Sequence, residues 1–185
     1  MIVIEKCLDK YQVMEVEIKD RILKVFNRKR ERPDSSFEEL YFLEYLTFPP
    51  KDKGKIKNSF IGVRRFYRFM DNLELEFGIC FTLSDLDNPN YSIDELTEKV
   101  KERIGKRKGN LIIIKQRISD KENYYLEFLL LLILTVVFVN FKIHWISVIL
   151  TVLIGVFFYW VTWSKMLNKK HDKRLYRIIT DRKAN

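Results

Sequence analysis

The pattern of hydrophobic and polar positions divides this chain into two unlike parts. Residues 1–123 mix charged and apolar positions, whereas residues 124–163 are almost wholly apolar. A membrane-spanning helix needs about twenty apolar residues, so this block is too long for one helix and suits two. The pattern therefore predicts a two-helix transmembrane hairpin, with helices at about 124–141 and 143–163, that follows a charged domain.

Polar residues interrupt the apolar block near its middle. Asn140, Lys142 and His144 lie where a turn between two helices would reach water or lipid headgroups. We expect Lys142 and His144 to form the hairpin tip. Glu127 and Asn140 are then polar residues within the membrane, where an acid is costly and either faces a polar cavity or pairs with a base. Lys165 is a candidate partner for Glu127.

The positive charge is concentrated behind the apolar block. The net charge is +9, and residues 164–185 carry eight Lys or Arg against two Asp or Glu, compared with 25 against 22 in residues 1–123. The positive-inside rule then predicts a membrane protein with both termini in the cytoplasm. The basic tail would also bind an anionic lipid surface. Its candidate lipid-surface residues are Lys165, Lys169, Lys170, Lys173, Arg174 and Arg177.

The charged part of the chain contains signals for both helices and strands. Two serines at 35 and 36, each followed three residues later by Glu, predict a helix over 37–47, and Ser92 with Glu95 predicts another that ends near Gly105. Apolar positions 73, 75, 77, 79 and 81 alternate with other residues behind Asp71-Asn72, which predicts a β-hairpin. The run L-I-I-I-K-Q-R-I predicts a buried strand.

These elements predict an α+β cytoplasmic domain with a ferredoxin-like split βαβ topology, provided that residues 13–26 supply a strand. That segment is equally compatible with a helix. The predicted domains are 1–119, the transmembrane hairpin 120–163 and the basic tail 164–185. Ser119 and Glu122 form a further capping-box pattern, so a helix would enter the membrane without a flexible linker and would transmit a displacement of the domain.

The sequence contains no catalytic or metal-binding motif. The two histidines lie at the predicted tip and in the basic tail, and Cys7 and Cys80 have no metal-ligand spacing. We therefore predict a protein that is not an enzyme and binds no cofactor.

Two groups of residues could serve binding. Ser147, Thr151 and Gly155 form a stripe of small residues that permits close helix packing, either between copies in a homo-oligomer or within one chain. A second group mixes basic and aromatic residues, as in surfaces for nucleotides or single-stranded nucleic acid, although such charge runs are usually solvated faces. Its candidate anionic-ligand residues are Arg64, Arg65, Arg68, Lys53, Lys55 and Lys57.

The segment S-D-K-E-N-Y-Y-L-E-F leads into the apolar block, and a basic flank follows it. This layout resembles the two-transmembrane effectors of bacterial anti-phage defence that accompany retrons or cyclic-oligonucleotide signalling. The resemblance covers the layout and carries over no functional residue. It implies a cytoplasmic domain that senses a regulatory protein, nucleotide or nucleic acid, and copies that assemble to disrupt or depolarise the membrane. The alternative function is a membrane-anchored binding or immunity module that tethers a cytosolic partner.

Overall fold

The computed structural model describes residues 2–48, 60–88, 90–120, 124–141 and 145–184. Within these ranges it describes the backbone alone for residues 2–13, 137–138, 140–141, 146–147 and 182–184. The elements are α1 (Ile2–Lys29), the 3-10 helix η1 (Glu39–Leu46), α2 (Phe60–Phe77), α3 (Leu83–Leu86), α4 (Ile93–Gly105), α5 (Arg107–Ser119), α6 (Tyr125–Phe141) and α7 (Trp145–Ala184). These ranges contain no β-strand, so the predicted α+β fold class is wrong.

The chain divides into two compact units. Unit 1 contains Met1–Lys115 and Arg174–Asn185, and unit 2 contains Gln116–Lys173. Helix α7 contributes residues to both units, and its backbone stays helical from Trp145 to Ala184. The domain boundaries derived from the sequence stay predictions.

Unit 1 has a core of aromatic and aliphatic side chains from α1, η1, α2 and α4. Phe26, Phe42 and Phe69 are each 0% exposed. The Phe26 ring lies edge-to-face on Phe42 and Phe69, with ring centroids 5.1 and 6.3 Å apart. Such rings bury much apolar area and favour this edge-to-face geometry, so they fix how the helices pack.

Helix α2 replaces the predicted β-hairpin. Asp71 and Asn72 lie inside the helix, where the Asn72 side-chain amide donates to the carbonyl oxygen of Arg68 at 2.5 Å. The turn pair lacks the glycine that two-residue hairpin turns favour. The buried apolar side chains instead recur every three to four residues, as one helix face requires: Phe66, Phe69, Met70, Leu73 and Phe77.

Two further segments with strand-like patterns are also helical. Residues 13–26 belong to α1, which was the open alternative, and residues 111–118 belong to α5. In α5, Ile114 is 0% exposed and packs in a second cluster with Cys80, Leu175 and Ile179. Of the β-branched run, Ile114 is thus buried on a helix, whereas Ile112 is 66% exposed, because tertiary packing outweighs local propensity.

The helices predicted from capping boxes have different outcomes. The box at α4 is confirmed, since the Ser92 N–H donates to Glu95 Oε2 at 2.8 Å and the Glu95 N–H donates to Ser92 Oγ at 3.2 Å. That helix ends at Gly105, as predicted. The helix predicted over 37–47 is the shorter 3-10 helix η1, and the Ser35 hydroxyl donates to the carbonyl oxygen of Arg32 instead of capping it.

The apolar block does not form the predicted two-helix transmembrane hairpin. Helix α6 has 17 residues, fewer than the about twenty that a span needs, whereas Val148–Asp181 in α7 covers 34 residues. Within the described ranges, that stretch is the one helix long and apolar enough to cross a membrane by length and composition. Helix α7 continues beyond residue 163, the predicted end, and its later residues pack in unit 1. The predicted tip residues Lys142 and His144 lie outside the described residues.

Candidate functional site

The candidate site is the apolar part of α7, residues 145–163, with the charged residues that follow it. No residue of the apolar window is buried in the structure. The exposed side chains include Leu153, Phe157 and Trp160. A helix that is apolar on every side is either covered by protein or surrounded by lipid. Because these side chains are uncovered within the chain, α7 is a candidate for membrane association.

Aromatic residues mark the end of this apolar part. The rings of Tyr159 and Trp163 stack with centroids 5.8 Å apart, and those of Phe157 and Trp160 lie 6.0 Å apart. Tyr and Trp concentrate at membrane interfaces because they combine an apolar ring with a polar group. Their position directly before Lys165 matches the change from apolar to charged sequence.

Glu127 and Lys165 form an ion pair within unit 2. The Glu127 residue is 7% exposed, and the Lys165 ammonium also lies 4.9 Å from the centre of the Tyr124 ring. This is the partner that the sequence suggested for Glu127. Pairing offsets the cost of burying the carboxylate, which gives Glu127 a structural role in holding α6 beside α7.

The basic residues beyond Lys165 lie on the continued helix. Lys169, Lys170, Lys173, Arg174 and Arg177 are all exposed. In the last turns the apolar residues do not form a free surface, since Leu175 and Ile179 are buried in the second cluster of unit 1, whereas Met166 and Leu167 are exposed. The lipid-surface role of the basic residues stays a prediction.

The small-residue stripe is partly described. A Cβ atom added to Gly155 would meet no described atom within 4 Å, and Thr151 is half-buried. The side chains of Ser147 and Asn140 lie outside the description. Gly155 is therefore not packed against its own chain in the part of the structure that is described, which leaves room for a helix from another molecule.

The structure describes three of the six predicted anionic-ligand residues, and all three lie on α2. Arg64 and Arg68 are exposed one turn apart on α2, not on a strand. The Arg65 guanidinium donates to the carbonyl oxygen of Leu46 at 3.4 Å and lies 3.5 Å from the carboxylate of Glu31. Arg65 thus has structural partners. Lys53, Lys55 and Lys57 lie outside the described residues.

Surface charges of unit 1 pair extensively. Lys106 and Lys99 contact the Glu102 carboxylate at 2.7 and 2.9 Å and lower its pKa to about 2, mainly through these hydrogen bonds. Lys101 contacts Glu15 and Glu98, each at 3.2 Å, and these hydrogen bonds raise the pKa of Lys101. These pairs indicate solvated, self-neutralised faces.

One buried ion pair was missed by the sequence interpretation. Asp85 is 3% exposed, and Arg103 Nη2 lies 2.5 Å from its Oδ2. The Thr82 N–H also donates to that oxygen at 2.9 Å. The segment T-L-S-D carries the capping-box pattern of a threonine with an acid three residues later, and this pattern could have identified the contact between Thr82 and Asp85 but not the pairing with Arg103.

Comparisons of this chain with protein-family models, curated proteins and solved structures found no match.

Proposed function

We propose that this chain is a membrane effector of bacterial anti-phage defence, in which unit 1 senses a regulatory protein or ligand and α7 carries the response into the inner membrane. The single observation that carries the proposal is the continuity of α7. The same helix presents an uncovered apolar part and buries Leu175 and Ile179 in the core of unit 1.

Continuity favours signal transfer over passive anchoring. A tether needs a lipid-embedded segment and tolerates a flexible linker, which absorbs displacement. Here a change in the packing around Leu175 acts on the helix that continues into the apolar part, because no irregular segment intervenes within α7. The exposed basic residues that follow the apolar part favour a cytoplasmic location for the C-terminal end of α7.

Assembly between copies is supported by Gly155. Its open surroundings on α7 allow a second helix to approach closely, as small residues do in membranes. The apolar part has few polar side chains, so lipid disturbance by assembled helices is more consistent with it than a wide aqueous pore.

The test is induced expression of the full chain in a bacterial host, with a voltage-sensitive dye and immunoblots of the membrane fraction. Depolarisation at modest protein levels is expected. Gly155→Ile should abolish it without lowering the amount in the membrane, whereas Val156→Ile, a matched change at an exposed neighbouring position, should not.

A second variant distinguishes the effector from a tether. Four glycines inserted after Asn168 would break α7 between its apolar part and Leu175. The effector should then lose depolarisation and keep its membrane localisation. Depolarisation that survives the insertion would contradict signal transfer through α7, and full protein levels with a normal potential in every variant would favour the tether.

A further inference from the structure

Unit 1 contains a cavity that is separate from the membrane-facing part of α7. Its volume is about 340 Å³, which lies in the range of small-molecule sites. Apolar side chains from four elements of the fold line it: Phe77, Ile79, Ile104, Leu111 and Ile179. Such a lining takes a hydrocarbon or another apolar group.

The polar side of the cavity is basic. Arg107 and Lys108, the first residues of α5, also line it and are both exposed. The cations just before them are paired, Arg103 with Asp85 and Lys106 with Glu102. No carboxylate in the described part of the chain pairs with Arg107 or Lys108.

The side-chain amide of the remaining polar lining residue already has hydrogen-bond partners within unit 1. Asn110 is 2% exposed, its Oδ1 accepts from the Cys80 N–H at 3.3 Å, and its Nδ2 donates to the carbonyl oxygen of Arg103 at 2.8 Å. Asn110 therefore shapes the cavity and leaves the two cations as the groups that would recognise a ligand.

We propose that this cavity binds a single-chain anionic amphiphile, with its apolar chain among Phe77, Ile104 and Leu111 and its carboxylate or phosphate at Arg107 and Lys108. Charge complementarity carries the assignment, because two cations that pair with no carboxylate in the described part of the chain border a mainly apolar cavity. The first N–H groups of α5 lack intrahelical acceptors and add positive potential at the same end.

The ligand would contact α7 directly, since Ile179 is both a lining residue and part of the cluster with Leu175. This site could thus serve as the sensing site of the proposed effector. Binding itself does not depend on that role, and a chain that leaves the membrane potential unchanged can still bind the amphiphile.

The test uses the full chain in nanodiscs of neutral phosphatidylcholine and a dodecanoate that carries a photoreactive diazirine. Cross-links are mapped by mass spectrometry. Labelling of the apolar part of α7 reports the probe dissolved in lipid and serves as the internal reference. We expect additional labelling at residues 104–111 and at Ile179, with competition by unlabelled dodecanoate and much weaker competition by dodecanol.

Two variants with matched controls test the assignment. Arg107→Gln with Lys108→Gln should lower cavity labelling about fivefold relative to the reference, whereas Lys115→Gln, an exposed α5 residue outside the cavity, should not. Leu111→Phe should fill the cavity and lower labelling, whereas Ile112→Phe, at an exposed neighbouring position, should not.

The outcomes separate the possible sources of the ligand and can overturn the proposal. Cavity labelling that falls when lysophosphatidylglycerol is included in the nanodiscs indicates a single-chain anionic lipid, and labelling that persists there but yields to free dodecanoate indicates a soluble acid. Either result supports the site. Labelling confined to the membrane part, equal competition by dodecanol, or no response to the charge variants would overturn it.

Discussion

Leu175 is the α7 residue that is most completely buried in unit 1. Its side chain is 0% exposed and packs with Cys80, Ile114 and Ile179. Leu175→Ala removes three carbons, and at about 0.8 kcal/mol per buried CH₂ the lost transfer free energy is about 2.4 kcal/mol. The cavity that remains extends the expected cost to about 2–5 kcal/mol.

Cys80 provides the assay because its thiol is buried in the same cluster. The chain has two cysteines, so a Cys7→Ser background makes Cys80 the sole thiol. A water-soluble maleimide reacts with it only when the cluster opens, so the labelling rate reports the free energy of opening. Because each 1.4 kcal/mol is a factor of ten, Leu175→Ala should accelerate labelling about 30- to 4,000-fold in nanodiscs.

Two controls make the result decisive. Leu167→Ala changes the same residue type at a site on α7 that is 46% exposed, and it should alter the rate by less than about threefold. Ile114→Ala lies in the cluster on α5 and should accelerate labelling as Leu175→Ala does. If Ile114→Ala accelerates labelling and Leu175→Ala does not, the end of α7 is no part of this core and the argument for signal transfer fails.

Three further predictions concern charged groups. Lys165→Met removes the ion pair from the nearly buried Glu127 and should destabilise unit 2 by about 3 kcal/mol; a thermal melt in nanodiscs that is unchanged would contradict the pair. Glu102→Gln should lower the urea midpoint at pH 7 but not near pH 2. The folded-state pKa of about 2 is below the ordinary 4.5, so the stabilisation is present above pH 4.5 and is lost as pH falls towards 2. Asp85→Asn should lower the urea midpoint by the equivalent of about 2–4 kcal/mol, since it leaves Arg103 without its carboxylate; Asp87→Asn, at an exposed nearby site, is the control.

The helix at α4 could be predicted because several local signals agree there. Ser92 and Glu95 satisfy each other's backbone N–H groups, and the apolar positions behind them have helical spacing. The segment around Asp71 shows the opposite case. The apolar residues there fit both the alternation of a strand and the three-to-four-residue spacing of a helix. Packing against Phe26 and Phe42, which no local pattern reveals, selects the helix.

The candidate site was only partly predictable for a similar reason. The apolar part of α7 and the partner of Glu127 follow from composition and charge, which are local properties of the sequence. The cavity in unit 1 combines residues from α2, α4, α5 and α7 that are far apart in the chain, and K-R-K-G-N reads as a loop until the start of α5 at Arg107 is known. Only the folded chain brings these cations beside an apolar cavity.

The order of residues in unit 1 links its folding to the apolar part of α7. Leu175 and Ile179 complete the second cluster, yet they follow residues 145–163 in the chain. That cluster therefore cannot be finished until the apolar part has been synthesised, and its closure joins contacts that are distant in sequence. The main aromatic core of Phe26, Phe42 and Phe69 needs no such residue and can form earlier. Unit 1 thus contains one core that is independent of α7 and one that depends on it. The dependent cluster shares Ile179 with the cavity of unit 1, so a ligand in that cavity and α7 would act on the same side chain.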